Sequence, residues 1–167
     1  MSQAPRGWSP YSNPGGKEYG GNEAHVYLTY GTISQEGVAQ LISDLRVGPD
    51  NVFYDLGSGL GQVCMQVFQE AKVRKSVGIE LNEQRHNLAK LNEKRSTGAR
   101  GLFRELLFRN ENFAETDFSD ATVIFCASIT FSYETLFLLA EKAARCLRLR
   151  YFVSMKRLRE PLHLALI

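Results

Sequence analysis

Three observations predict an α/β domain built on a doubly wound, mostly parallel sheet. Residues 52–61 read Val-Phe-Tyr-Asp-Leu-Gly-Ser-Gly-Leu-Gly, an apolar run that ends in an acid and passes into glycines at alternate positions. Residues 76–80, Ser-Val-Gly-Ile-Glu, form a second short apolar run with an acid at its tip. Strand-like runs then alternate with helix-like periodicity to the end of the chain, the pattern of parallel strands joined by helical crossovers.

In chain order, residues 1–25 contain no Ile, Leu or Val and are rich in Gly, Pro, Ser, Asn and Tyr. They are read as a flexible leader, and residues 26–167 as the folded domain. Ser34 is a good helix N-cap, and Val38, Leu41, Ile42 and Leu45 follow at helical spacing until Gly48 and Pro49 stop the helix. A buried strand is predicted over 52–56. A helix over 62–73 carries Val63, Val67, Phe68 and Ala71 on one face. After the strand at 76–80, Asn82 caps a mostly polar helix to about residue 95, with Leu88, Ala89 and Leu91 as its apolar stripe. Residues 96–101 form a loop, and strands are predicted over 102–108, 121–127 and 149–155. An amphipathic helix over 133–147 joins the last two.

Composition sets the frame. With 167 residues, 44% hydrophobic and 23% charged, the chain buries one core and leaves no room for a second large domain. The net charge of +2 singles out no partner. Cys64, Cys126 and Cys146 have no CxxC or metal-like spacing and the three histidines are scattered, so the residues indicate neither a disulfide framework nor a metal site, and a reduced compartment fits. No apolar stretch approaches the length of a membrane span.

The glycine loop defines the functional question. Gly57, Gly59 and Gly61 remove Cβ atoms where the chain turns sharply and where a ligand approaches backbone; the plainer alternative is that they only close a tight connection. A dinucleotide fingerprint wants its third glycine where this chain has Gln62, and it wants a pyrophosphate against the helix N-terminus. Asp55 would set a carboxylate beside that anion and suits a ligand with an ammonium or sulfonium group instead. S-adenosylmethionine carries both. Glu80, at the tip of the next strand, stands where a carboxylate accepts hydrogen bonds from ribose hydroxyls.

From about residue 26 to 156 the chain resembles the histone-lysine N-methyltransferases of the disruptor-of-telomeric-silencing type, which are class I, Rossmann-like and S-adenosylmethionine-dependent. The resemblance rests on Thr29-Tyr30-Gly31 with Ile33; on Val38-Ala39-Gln40 and Ile42; on the block from Asp55 through Gly57, Ser58, Gly59, Gly61, Gln62 and Val63 to Gln66-Val67; on Gly78-Ile79-Glu80; on Asn112-Phe113; on Val123-Ile124-Phe125; and on Val153-Ser154 with Lys156. It implies that Thr29 and Tyr30 cover the cofactor and that Asp55 and the backbone of Gly57, Ser58, Gly59 and Gly61 hold its methionine end, with Gln62 close by. It further implies that Glu80 binds ribose, that Asn112 meets the adenine amino group and that Phe113 stacks on the ring.

After the fourth strand the family has two asparagines, then Phe-Ala-Phe, lining the methyl-transfer site. This chain reads Ala127-Ser128-Ile129-Thr130-Phe131. Tyr30, Ser128 and Phe131 are therefore the candidate catalytic residues, with Ser128 the small polar group expected where the amine arrives. Core packing is an equal account of Phe131. Too few residues follow Lys156 for the antiparallel strand pair that ends this fold elsewhere, so that pair is expected to be missing.

The resemblance implies a nucleosomal histone lysine as substrate and a nuclear location; a cytoplasmic one is the alternative. Arg145, Arg148, Arg150, Lys156, Arg157 and Arg159 form a basic set suited to weak contact with DNA phosphate or an acidic histone patch. Methyl transfer to a non-histone protein or a small molecule stays open, as does a domain that binds the cofactor without turnover.

Overall fold

A computed structural model describes residues 33–96 and 104–157. Its elements are α1 (Gln35–Asp44), β1 (Val52–Leu56), α2 (Gln62–Glu70), β2 (Lys75–Ile79), α3 (Glu83–Ser96), β3 (Glu105–Arg109), β4 (Val123–Cys126), a 3-10 turn (Ser128–Thr130), α4 (Tyr133–Ala143) and β5 (Tyr151–Ser154). The five strands form one sheet in the order β3-β2-β1-β4-β5, and every pairing is parallel.

Side-chain alternation along β1 explains why helices cover both faces. Phe53 packs with Val38, Leu41, Val67, Phe68 and Ala89, from α1, α2 and α3. Val52, Tyr54 and Leu56 pack on the opposite face with Phe118, Leu136 and Leu139, the last two from α4. Asp55 is the one acidic residue of this strand, and it pairs in register with Gly78 of β2 and Phe125 of β4. Strand order reverses at β1, so its carboxyl end is the switch point where ligands of open α/β sheets bind.

Two helix starts follow the caps expected from the sequence, Ser34 and Asn82, and Ser132 caps a third. Ser34 accepts from Gly37 N–H at 3.1 Å, Asn82 from Arg85 N–H at 3.0 Å and Ser132 from Thr135 N–H at 3.1 Å. Four expectations are corrected. The apolar stripe of α3 is not Leu88-Ala89-Leu91: the two leucines are about half exposed, and the buried residues are Ala89 and Glu93. This helix approaches the glycine loop, where Ala89 Cβ would lie 3.2 Å from a Cβ on Gly61, and a leucine would not fit so close. The helix expected to reach residue 147 stops at Ala143. There the chain tightens through Arg145 N–H to Lys142 O and Cys146 N–H to Ala143 O, leaving Leu147 fully exposed. β4 starts at Val123, two residues later than expected, because the Thr122 hydroxyl receives the Val52 N–H at 2.9 Å in place of a ladder carbonyl.

β5 is likewise shorter than expected, since Met155 and Lys156 bend back toward the end of β4. Among the described residues the sheet has no antiparallel member. The leader, Thr29, Tyr30 and the residues that would carry a terminal strand pair lie outside the described residues.

Candidate functional site

The site is built where β1 and β2 end. Asp55 is only 2% exposed, and its Oδ1 has no hydrogen-bond partner among the described residues. Burial, reinforced by the charge of Glu80, lifts this carboxyl to about 8. Beyond it the loop takes left-handed backbone at Gly57, Gly59 and Gly61, with φ of 89°, 54° and 78°.

The loop is fastened to the tip of β2. Gly57 N–H and Ser58 N–H both donate to Ile79 O, at 2.9 and 3.0 Å. Gly59 N–H donates to Glu80 Oε2 at 2.9 Å, and Asn82 N–H to Glu80 Oε1 at 2.8 Å. Glu80 is buried, with Arg85 Nη1 3.9 Å from Oε1. Each carboxylate oxygen still has an acceptor position beyond the bond that holds it. Gly61 caps α2 without a side-chain hydrogen bond, which leaves first-turn N–H groups open to a ligand.

Two aromatics close over this loop from the other side of β1. Phe131 follows the 3-10 turn after β4, and its ring lies 3.2 Å from where a Cβ on Gly57 would be. Phe113, from the β3–β4 connection, packs against it with ring centroids 5.1 Å apart and planes tilted by 36°. Asp55, Gly57, Ser58, Gly59, Gly61 and Glu80 are thus gathered with the Phe113–Phe131 pair.

Other expected residues differ. Ser128 is fully buried and its hydroxyl lies 2.6 Å from Ser154 Oγ while accepting Lys156 N–H at 3.1 Å. Its hydroxyl is thus engaged within the protein. The side-chain carbonyl of Asn112 accepts Ala114 N–H at 3.0 Å, and its amide donates to Glu115 at 3.2 Å, so the residue shapes its own loop and keeps one acceptor position. Gln62 is exposed at the first position of α2. It borders a groove of about 310 Å³ between α1 and α2, also lined by Ile33, Val38, Val63, Met65 and Gln66, which includes neither Asp55 nor Glu80. Of the basic set, Arg145, Arg148, Arg150 and Arg157 are exposed. Lys156 is partly buried: its ammonium donates to Phe131 O at 2.6 Å and lies 4.3 Å from the Tyr133 ring. Arg159 lies outside the described residues.

Three residues not singled out in the sequence complete the site. The Phe108 ring fills the space that Cβ atoms on Gly61 and Gly78 would occupy. Asn110 donates its side-chain amide to Glu80 O and Leu81 O at 2.8 and 2.9 Å, fixing the backbone that carries the acid. Leu81, 63% exposed beside Glu80, offers an apolar face at the same edge. Their place at the ends of β2 and β3 was the available signal. Burial pushes the thiols of Cys64 and Cys126 up, so neither is a thiolate nucleophile.

The family described as "Histone methylation protein DOT1" matches residues 17–161, which include this whole constellation. The chain belongs to the DOT1 family. Over 119 residues, 62% of the chain, it is 36% identical to the Caenorhabditis elegans "Histone-lysine N-methyltransferase, H3 lysine-79 specific", of which the match covers 12%. Over 100 residues, 59% of the chain, it is 29% identical to a "Protein-lysine N-methyltransferase" of Saccharolobus islandicus, covering 58% of that protein. Among solved structures, an RNA methyltransferase from Salinibacter ruber in complex with S-adenosyl-L-homocysteine is similar, with 26% identity and a TM-score of 0.56. That likeness covers 65% of this chain and 67% of the other. The DOT1 chain therefore has the Rossmann-like fold of class I methyltransferases, and it spans a small fraction of the C. elegans relative and somewhat over half of the S. islandicus one.

Proposed function

We propose that this DOT1-family chain transfers a methyl group from S-adenosylmethionine to a protein lysine, with a nucleosomal histone as substrate. The observation that carries the reading is the buried Asp55 carboxyl, without a partner at Oδ1 among the described residues, one strand away from the Glu80 carboxylate that anchors the glycine loop. Two carboxylates at the switch point fit a ligand with a cationic end and a diol, and they oppose a diphosphate.

The cofactor supplies an electrophilic methyl carbon on a sulfonium. Around it, Asp55 would accept from the ammonium end, Glu80 from the ribose hydroxyls, and the first-turn N–H groups of α2 would take the carboxylate. Phe113 would offer its ring to the adenine. The substrate amine must arrive uncharged, yet an exposed lysine titrates near about 10.4. An aromatic, poorly hydrated approach past Phe131, and by resemblance past Tyr30, disfavours the ammonium and excludes water. No protein general base is needed.

The nuclear location and the phosphate contact through Arg145, Arg148, Arg150 and Arg157 belong to the same reading. A second reading, a lysine of a non-histone protein, is favoured by Ala127-Ser128-Ile129-Thr130: Ser128 is buried, and the segment has no amide side chain.

Calorimetric titration with S-adenosylmethionine, followed by transfer of labelled methyl to nucleosomes and to free histones, tests the proposal. Saturable binding with label on a histone lysine is the expected result. A folded chain that does not bind the cofactor would overturn the whole reading, and label on other proteins alone would favour the second.

A further inference from the structure

We infer that Lys142 and Lys156 are positioning residues for methyl transfer, each anchoring one ring of the Phe113–Phe131 pair through the backbone carbonyls that carry it; the inference rests on the methyl-transfer reading above. Lys142 lies in the last turn of α4, where a lysine ordinarily complements the helix C-terminus. Its ammonium reaches instead across to the β3–β4 connection. It donates to Ala114 O at 2.8 Å and Thr116 O at 2.6 Å, with Phe113 O at 3.5 Å, and lies 4.9 Å from the Phe118 ring. Three donors meet three carbonyls of the one loop that presents Phe113.

Lys156 does the same for Phe131. Its ammonium donates to Phe131 O at 2.6 Å and lies over the Tyr133 ring. The backbone of Lys156 is itself fixed by two hydroxyls. Ser154 Oγ donates to Lys156 O at 2.7 Å, which spends its one proton, so Ser128 is the donor in the 2.6 Å contact with Ser154. Lys156 N–H then donates to Ser128 Oγ at 3.1 Å and closes the ring. Ser128 and Ser154 therefore hold the residue whose side chain holds Phe131.

The two anchors act on different parts of the reaction. In the methyl-transfer reading Phe113 would meet the adenine, while Phe131 covers the loop at Gly57. Charge-assisted hydrogen bonds from a partly buried ammonium are strong enough for their loss to cost about tenfold in whatever the ring contributes. An apolar side chain of similar length would fill the space of either lysine but leave the carbonyls unpaired.

The test compares Lys142→Met and Lys156→Met with Lys142→Arg and Lys156→Arg in the full chain, measuring S-adenosylhomocysteine affinity, kcat and KM on the protein substrate, and Tm. Lys142→Met should weaken S-adenosylhomocysteine binding about tenfold. Lys156→Met should leave that binding within about twofold and lower kcat about tenfold, and each arginine should restore most of the loss. Unchanged constants in both methionine variants, or parallel losses of affinity and kcat that track Tm and are not restored by arginine, would overturn the inference. Fluorine NMR of 4-fluorophenylalanine at positions 113 and 131 gives a readout independent of activity. Lys142→Met should move the first resonance most and Lys156→Met the second; unmoved resonances would sink the anchors. If a methionine variant does not fold, the arginine variant decides: resonances in place support the anchor, and scattered ones overturn it. A wild-type chain that neither binds nor transfers defeats the methyl-transfer reading, while the fluorine spectra still judge the anchors.

Discussion

Asp55 and Glu80 stand at the ends of neighbouring parallel strands, yet Asp55 Oδ1 has no hydrogen-bond partner among the described residues while the Glu80 carboxylate is held by two backbone N–H groups. Burial first, and then the charge of Glu80, raises Asp55 from 3.8 to about 8. The folded chain keeps a proton that the unfolded chain gives up, so the stability this contributes is complete below about pH 4 and declines as pH rises toward 8. A cationic ligand reverses the trend, because it needs the carboxylate. Affinity for S-adenosylmethionine should climb between about pH 6 and 8 with release of a proton, and Asp55→Asn should flatten the climb. Calorimetry in buffers of different ionisation enthalpy measures both; an equal slope in the variant would remove Asp55 as the titrating group.

In the proposed reading Glu80 has a double task, since the carboxylate that anchors Gly59 would also accept from the ribose. Glu80→Gln keeps one acceptor and loses the charge, so ligand affinity should fall by about 1–3 kcal/mol with a lower Tm. Ligand titration and thermal melts check it. Unaltered affinity would leave Glu80 as a loop anchor alone.

Gly61 is fixed by space as well as by backbone. A Cβ there would come within 2.4 Å of the Phe108 ring, at a φ of 78° that side chains resist. Gly61→Ala should cost about 2–4 kcal/mol and displace the loop, so denaturant unfolding and cofactor binding should both suffer. Phe108→Leu in the same background should recover part of the stability. Failure of that rescue would mean that the steric account of Gly61 is wrong.

Ser128→Ala removes a buried hydroxyl from the ring with Ser154 and Lys156. Stability should drop by about 1–2 kcal/mol while S-adenosylhomocysteine affinity stays near the wild-type value, as thermal melts and calorimetry would show. A large loss of ligand affinity with no change in Tm would return Ser128 to the ligand site.

The strand–acid–glycine block and the second acid were legible because both chemistry and position sit in a few consecutive residues. Asp55, Glu80 and the glycines fall together as their spacing required, and each cap at Ser34 and Asn82 works as its side chain suggests. Contacts between segments far apart in the chain were not legible. Nothing near Phe108 in sequence says that it needs glycines at 61 and 78, and a basic residue at 156 looks like any exposed cation until the bend after β5 turns it toward Phe131. Helix α3 was misread for a related reason: its buried face is set by how closely Ala89 must approach the loop, and half-exposed leucines beside it mimic an apolar stripe.

The strand order also dictates when the protein can mature. β1 is central, with β2 soon after it in sequence and β4 only much later, the Val52 N–H bonding to Thr122 across 70 residues. Closing that long loop precedes its reward, so folding should be slow for the size of the domain. During synthesis, a nascent chain halted before β4 would carry Asp55 and the whole glycine block without the second flank that buries them. Only emergence of β4 from the ribosome converts that half-built hydrophobic strand into the floor of a site.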